Sequence, residues 1–154
     1  MRALIQQAYS SLVLPDVLMH YVEDGQEAIH YLAGDRQFSD RAKFPLPTLL
    51  LLDLKMPRKS GLDVLTWVRQ SPLKEIVVVM FSGSDAEKDV HQAYQCGANS
   101  FIHKPTSFTD LKHVLIAIHH YWFGCNYIPK AGGGIVGRQR TPFRVVSREG
   151  DGSP

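Results

Sequence analysis

The hydrophobic and polar positions of the chain alternate between two periods. Uninterrupted apolar runs, typical of strands buried on both faces of a sheet, occur at 49–52 and 76–81. Elsewhere the apolar residues recur every three or four positions, as along one face of a helix. Strands that alternate with helices predict an α/β fold with a parallel sheet and right-handed crossovers. The predicted strands are 17–22, 49–52, 76–81 and 100–103, and the predicted helices are 2–9, 25–34, 61–70, 84–97 and 108–122.

Local signals define the ends of these elements. Ser84 and Glu87 have the spacing of a capping box, which predicts that a helix begins there. Residues 35–47 are polar and contain two prolines, which predicts a surface loop. From residue 124 onward the periodicity disappears while glycine and arginine recur. We therefore predict one domain over residues 1–123 and a basic, disordered tail over residues 124–154.

Three of the predicted strands end in polar side chains, namely Asp53, Ser82 and Lys104. Because parallel strands bring their carboxyl ends to one edge of the sheet, these side chains are expected to converge. A carboxylate nucleophile, a hydroxyl donor and a fixed cation suit phosphoryl transfer to the carboxylate. Singly, each has an ordinary explanation: Asp53 as a turn residue, Ser82 as a helix-start residue and Lys104 as a solvated surface side chain. Only the three residues together, each at the end of a strand, favour a site of phosphoryl transfer.

Composition narrows the class of protein. The chain has 154 residues, of which 44% are hydrophobic and 21% charged, which is ordinary for a single soluble domain with a real core. A net charge of +2 does not favour nucleic acid as a partner. No apolar run approaches the ~20 residues of a membrane span, and no signal-peptide pattern opens the sequence, so a cytoplasmic location is expected. Cys96, Cys125 and the seven histidines have no metal-ligand spacing, which predicts no zinc.

Five short motifs occur at a characteristic spacing: Leu52-Asp53-Leu54-Lys55-Met56-Pro57, Gly61, Phe81-Ser82-Gly83, Gly97-Ala98 and Phe101-Ile102-His103-Lys104-Pro105. In these motifs the sequence resembles the receiver domain of two-component response regulators, over about residues 2–123. The resemblance implies a flavodoxin-like, doubly wound parallel sheet. Three finer features resemble single-domain regulators associated with phytochrome-type histidine kinases: residues 23–28, the long loop before residue 49, and residues 121–123.

The resemblance implies a role for individual residues. Asp53 would accept phosphate from the phosphohistidine of a kinase, and Lys104 would contact the phosphoryl group. Ser82 would move toward that group, while Phe101 would turn inward as the switch aromatic; plain aromatic packing is the alternative for Phe101. Gly83 would leave access to the site. The chain would therefore be a signalling domain rather than an enzyme, limited to self-phosphotransfer and autodephosphorylation.

The resemblance also implies a magnesium ion held by Asp53 and the backbone carbonyl of Lys55, and a cis peptide bond between Lys104 and Pro105. Receivers begin with a strand that ends in two adjacent acidic residues, which complete the metal site. That first strand and acidic pair are missing here, since Glu23 and Asp24 fall at a later strand-to-helix junction. Magnesium affinity is therefore expected to be weak.

The missing first strand would leave the 49–52 strand with an open edge, which invites aggregation or pairing with another strand. Two explanations are open: a start codon assigned too far downstream, or a truncation that leaves a degenerate receiver. The first is favoured because the other motif residues show no decay.

The sequence raises three hypotheses for the function. The leading one is a receiver phosphorylated on Asp53 by a histidine kinase, with output through protein contacts. The second is a degenerate receiver that acts as a protein-interaction module without phosphorylation. A haloacid-type hydrolase needs a second Asp two residues after the first, and Lys55 occupies that place. The last two helices are the expected surface for a homodimer or a downstream protein target, with Tyr94, Phe101, His103 and His113 in that region; neither membrane nor nucleic acid is expected as a partner.

Overall fold

The structure is a computed structural model, and it describes residues 2–12, 18–129, 135–136 and 144–146. A 3₁₀ turn at Arg36–Phe38 and a π-helical turn at His120–Cys125 accompany the regular elements. The helices are α1 (Arg2–Ser11), α2 (Gly25–Ala33), α3 (Gly61–Gln70), α4 (Glu87–Gln95) and α5 (Phe108–His119). The strands are β1 (Leu49–Leu52), β2 (Val77–Ser82), β3 (Ser100–His103), β4 (Ile128–Pro129), β5 (Ile135–Val136) and β6 (Arg144–Val146).

The main sheet has four strands in the order β3-β2-β1-β6, and every neighbouring pair is parallel. Its register aligns Leu52 with Met80 and Ser82 with His103. The predicted α/β class with a parallel sheet is confirmed. The bounds predicted for β1, α3 and β3 also match the structure.

Strand β1 is buried on both faces, as its unbroken run of leucines predicts. Leu50 and Leu52 lie in one apolar cluster with residues of α2 and α3. Leu49 and Leu51 lie in a second cluster with residues of α1 and α5. All four side chains are 1% exposed or less. Asp53, which follows β1, therefore lies at the end of a strand that is packed between two layers of helices.

The strand predicted at 17–22 is wrong for the residues described, because 18–22 form no strand; residue 17 lies outside the described residues. Val22 is nevertheless buried in the cluster that holds Leu50. Strand geometry requires a neighbouring strand with which backbone groups can pair. The neighbour of β1 on this side is β6, and no described strand follows β6 in the sheet.

Three short segments beyond residue 123 form strands. β4 and β5 form an antiparallel pair, and β6 pairs with β1. The sequence at these strands is rich in β-branched residues, which favour the extended conformation. The rest of the predicted tail, over 130–134, 137–143 and 147–154, lies outside the described residues, so a disordered tail stays a prediction.

Two local predictions are also wrong. Helix α4 begins at Glu87 with Ala86 as its N-cap, so the capping box from Ser84 does not form; the Ser84 hydroxyl instead donates to the carboxylate of Asp89. The Lys104–Pro105 bond is not cis, in keeping with the small intrinsic preference of proline for the trans form. Within the described part of the chain, no helix has the length and apolar character needed to cross a bilayer.

Candidate functional site

Asp53 lies directly beyond the carboxyl end of β1 and is 7% exposed. Its Oδ2 forms an ion pair with Nζ of Lys104, which follows β3. Its Oδ1 accepts a hydrogen bond of 3.2 Å from the backbone N–H of Lys55. The Lys104 side chain is itself 11% exposed, so both charges are largely withdrawn from water. The predicted convergence of Asp53 and Lys104 is therefore present in the structure.

Ser82 reaches the same edge as the last residue of β2 and is 1% exposed. Its carbonyl oxygen accepts a 2.7 Å hydrogen bond from the backbone N–H of Lys104, which joins the two strand ends. Its hydroxyl oxygen accepts a hydrogen bond from the N–H of Ser84 at 3.1 Å. Ser82 is thus placed beside Lys104, and its hydroxyl is bonded to Ser84.

Gly61 supports the loop that carries Asp53. A Cβ atom at Gly61 would overlap the carbonyl oxygen of Asp53, so only glycine allows this close approach. The Gly61 N–H donates to the carbonyl of Leu54 at 3.0 Å. Ser60 and Asp63 form a capping box at the start of α3, and the hydrogen bonds from Ser60 hold the pKa of Asp63 below its usual value. The contacts of Gly61 with Asp53 and Leu54 therefore hold the two ends of this loop together.

We expect Gly61→Ala to lower the free energy of unfolding by about 1–3 kcal/mol, because the new methyl group forces the backbone of Asp53 to move. Urea denaturation of the variant and the parent chain measures the loss. Gly83→Ala is the matched control: a Cβ there meets nothing within 4 Å, so stability should change little. Equal stability of Gly61→Ala and the parent chain would contradict the close approach.

An ion pair between a buried carboxylate and an exposed arginine, which the sequence analysis missed, contacts the far end of this loop. Asp24 is 2% exposed, and its Oδ1 accepts a 2.9 Å hydrogen bond from the N–H of Glu27 as the N-cap of α2. Its Oδ2 pairs with the guanidinium of Arg58, whose φ of 62° is left-handed. Only the capping role had a sequence signal, namely an Asp before a predicted helix. Asp24 therefore caps α2 and, through its ion pair with Arg58, also contacts the loop that follows Asp53.

Phe101 and Gly83 flank the site. Phe101 is half-buried and packs against the cluster on the α2 and α3 side of the sheet. Its N–H donates to the hydroxyl oxygen of Tyr94 at 3.2 Å, which ties β3 to α4. Gly83 is exposed with open space around its α-carbon. The approach to the sheet edge is therefore open on this side.

The donor chemistry near Asp53 does not make a complete magnesium site. Magnesium prefers oxygen ligands that include carboxylates, and Asp53 already pairs with Lys104. The Lys55 backbone lies beside the Asp53 carboxylate. Among the described residues, no group of three or more His, Cys, Asp or Glu side chains could hold a metal ion. These residues therefore do not fit the ion without further ligands.

A sequence model of the response regulator receiver domain matches residues 1–116. The chain therefore belongs to the response regulator receiver family, the signalling domains of two-component systems. This class agrees with the parallel α/β fold and with an Asp and a Lys paired at the carboxyl edge of the sheet.

Several members of this family are close in sequence and structure. The probable methanogenesis regulatory protein FilR2 of Methanothrix harundinacea is 35% identical over 72% of this chain and 70% of its own. Response regulator Rcp1 of Synechocystis is 30% identical over 83% and 85%, and its Mn²⁺-bound crystal structure superimposes with a TM-score of 0.74, 29% identity and coverage of 84% and 91%. The phosphorylated cyanobacterial phytochrome response regulator RcpA gives a TM-score of 0.75 at 32% identity, over 84% of this chain and 90% of that one.

Proposed function

We propose that the chain is a response regulator receiver that accepts a phosphoryl group on Asp53 from the phosphohistidine of a histidine kinase. The observation that carries the proposal is the contact between Asp53 and Lys104 at the carboxyl edge of the sheet. The similarity to Rcp1 and RcpA supports a kinase of the phytochrome type. The signal would then pass on through protein contacts.

The two carboxylate oxygens of Asp53 suit different parts of the transfer. Oδ1, whose partner is a backbone N–H, is the oxygen that attacks phosphorus. The phosphorus–nitrogen bond of the phosphohistidine breaks, and its electron pair returns to the imidazole. Lys104, already held at Oδ2, neutralises charge on the transferred phosphoryl oxygens as a fixed cation. Hydrolysis of the acyl phosphate later regenerates the carboxylate.

An acyl phosphate on Asp53 carries about −1.5 to −2 charge in place of the single negative charge of the carboxylate, and this change beside Ser82 would bias the β2–α4 loop toward a second arrangement. The Ser82 hydroxyl accepts from Ser84, so its own hydrogen is available to a phosphoryl oxygen. Movement of Ser82 would leave room into which Phe101 can turn. Because Phe101 is tied to Tyr94 of α4, this change reaches the surface formed by α4, β3 and α5. That surface is the proposed contact for a second copy or a target protein.

We also propose that the chain binds a divalent cation, because it is similar to Rcp1, which has a Mn²⁺-bound structure. Asp53 and the backbone carbonyl of Lys55 would supply two of the ligands of a magnesium ion, which would need further ligands. Since the described residues form no complete metal site, the transfer above depends on Asp53 and Lys104, and weak magnesium binding stays a prediction. The same observation favours the second candidate function, a degenerate receiver that binds partners without phosphorylation.

Intact mass after treatment with acetyl phosphate and magnesium separates the two functions. We expect one phosphate-sized adduct on the parent chain and none on Asp53→Asn, which keeps the shape of the side chain but removes the nucleophile. Asp85→Asn, an exposed carboxylate three residues beyond Ser82, is the matched control and should keep the adduct. Absence of the adduct from a folded parent chain would overturn phosphotransfer and favour the degenerate receiver.

A further inference from the structure

The hydroxyl groups of two serines connect the carboxyl edge of the sheet to the start of α4. Ser82 is buried, and its hydroxyl oxygen accepts the N–H of Ser84 at 3.1 Å. The hydroxyl oxygen of Ser84 in turn accepts the N–H of Ala86 at 3.4 Å. Each serine thus bonds the backbone two residues ahead, which is a common way for Ser side chains to shape a turn. Two such turns in succession lead from the end of β2 to the N-cap of α4.

The Ser84 hydroxyl also makes a shorter contact, with Asp89 in the first turn of α4. It donates to Oδ2 of this carboxylate at 2.5 Å, and the bond is partly buried. Hydrogen bonds to an ionised group are roughly twice as strong as those between neutral groups. The bond to Asp89 is therefore the stronger of the two bonds that the Ser84 hydroxyl makes.

The first turn of α4 lacks the cap that other helices of the chain have. Its N-cap residue, Ala86, makes no side-chain hydrogen bond, whereas the N-cap residues of α2, α3 and α5 each accept one from the backbone. A helix without such a cap begins less firmly, because its first N–H groups have no partner within the helix. The bond from Ser84, outside the helix, to Asp89, its third residue, supports this weak start.

These bonds place Ser82 and the start of α4 under one restraint. The Ser82 carbonyl is bonded to the N–H of Lys104, and its hydroxyl is bonded to the N–H of Ser84. Movement of the Ser82 hydroxyl toward a phosphoryl group on Asp53 disturbs its bond with Ser84. As long as Asp89 holds Ser84 in place, this movement is opposed.

We propose that the hydrogen bond from Ser84 to Asp89 is a latch that keeps Ser82 and the first turn of α4 in the unphosphorylated arrangement. Because coupling between two events is reciprocal, phosphate on Asp53 weakens the latch by the same factor by which the latch opposes phosphorylation. Opening of the latch then loosens the first turn of α4. The effect of phosphate rests on the proposed function, whereas the support that the latch gives to α4 does not.

Four variants of the full chain test the latch. Ser84→Ala removes the donor and Asp89→Ala removes the acceptor. Asp89→Asn removes the same charge but keeps an oxygen that accepts from Ser84, so it separates the hydrogen bond from the charge. Asp85→Ala, which removes an exposed carboxylate from the same loop, is the matched control. Hydrogen exchange of the amides of residues 86–90, read by NMR and corrected for the intrinsic rate of each sequence, is the first measurement.

We expect exchange of these amides to become at least about 5-fold faster in Ser84→Ala and Asp89→Ala, because the first turn of α4 opens more often. Asp89→Asn and Asp85→Ala should exchange at the parental rate. Parental exchange in Ser84→Ala and Asp89→Ala would overturn the latch. Equal acceleration in Asp89→Asn and Asp89→Ala would assign the effect to the charge and would also overturn it.

The second measurement is the rate at which the phosphate adduct forms with acetyl phosphate and magnesium, followed by intact mass. It should rise by about 2- to 10-fold in Ser84→Ala and Asp89→Ala, since the arrangement that accepts phosphate is then more populated. Asp89→Asn should react at the parental rate. A bond that only stabilises the fold would leave the rate unchanged or lower it, and either result would overturn the restraint on Ser82.

Exchange in the presence of acetyl phosphate tests the reciprocal effect. Phosphorylation should speed exchange of residues 86–90 in the parent chain and change it little in Ser84→Ala, where the latch is already absent. Unchanged exchange in a phosphorylated parent chain would overturn the opening of the latch. A parent chain that forms no adduct would contradict the proposed function and the effect of phosphate with it, while exchange without acetyl phosphate would still report whether the latch supports α4.

Discussion

Replacement of Lys104 by alanine is expected to slow phosphate transfer to Asp53 by about 10²–10³-fold, the usual cost of removing one preorganised group from a site of developing charge. The effect should be large because Lys104 contacts the Asp53 carboxylate directly and both side chains are largely buried. The rate at which the phosphate adduct forms with acetyl phosphate, followed by intact mass, measures it. Lys88→Ala, an exposed lysine on α4, is the matched control and should react at the parental rate.

The same substitution should also lower stability, by about 1–3 kcal/mol, because Asp53 is left buried without its cation. Adding Asp53→Asn to Lys104→Ala removes the orphaned charge, so the double variant should recover part of the loss. A double-mutant cycle of urea denaturation curves gives the coupling between the two residues. Additive effects, or a parental transfer rate in Lys104→Ala, would contradict the role assigned to the pair.

The largest effect on folding is expected from Leu51→Ala, a loss of about 2–5 kcal/mol in the free energy of unfolding. Leu51 is fully buried in the cluster shared with α1 and α5, so its removal leaves a cavity in a strand held on both faces. Chemical denaturation measures the change. Leu4→Ala is the matched control, because Leu4 is 45% exposed and should cost less than about 1 kcal/mol. Similar losses for both variants would show that the 49–52 strand is not the centre of the core.

The features that the sequence predicts well are those that depend on a run of consecutive residues. Four leucines followed by Asp53 identify a buried strand and the carboxylate at its end. The rule that parallel strands share one carboxyl edge then brings Asp53 and Lys104 together, although they are far apart in the chain. Helix α3 was predicted to its bounds because Gly61 and the apolar stripe that follows are local signals.

The features that were missed depend on pairs of distant residues. Nothing in the local sequence marks Arg58 as the partner of Asp24 across the α2 and α3 loops. Pairing of β6 with β1 has no local signal either, because two valines in a three-residue segment do not indicate which strand they pair with. The strand predicted at 17–22 failed for the same reason, since its mostly apolar residues do not say whether a neighbouring strand is available.

The position of β6 in the sequence affects how the protein folds during its synthesis on the ribosome. β1, β2 and β3 are synthesised first, and the strand that pairs with the other side of β1 follows more than 90 residues after it. At cellular elongation rates of about 5–20 residues per second, this interval lasts roughly 5–20 s. During that time β1 and β6 cannot pair, and a strand edge without a partner is the kind of surface that pairs wrongly between chains. Release of residue 146 from the exit tunnel is therefore the event that lets β1 pair with β6.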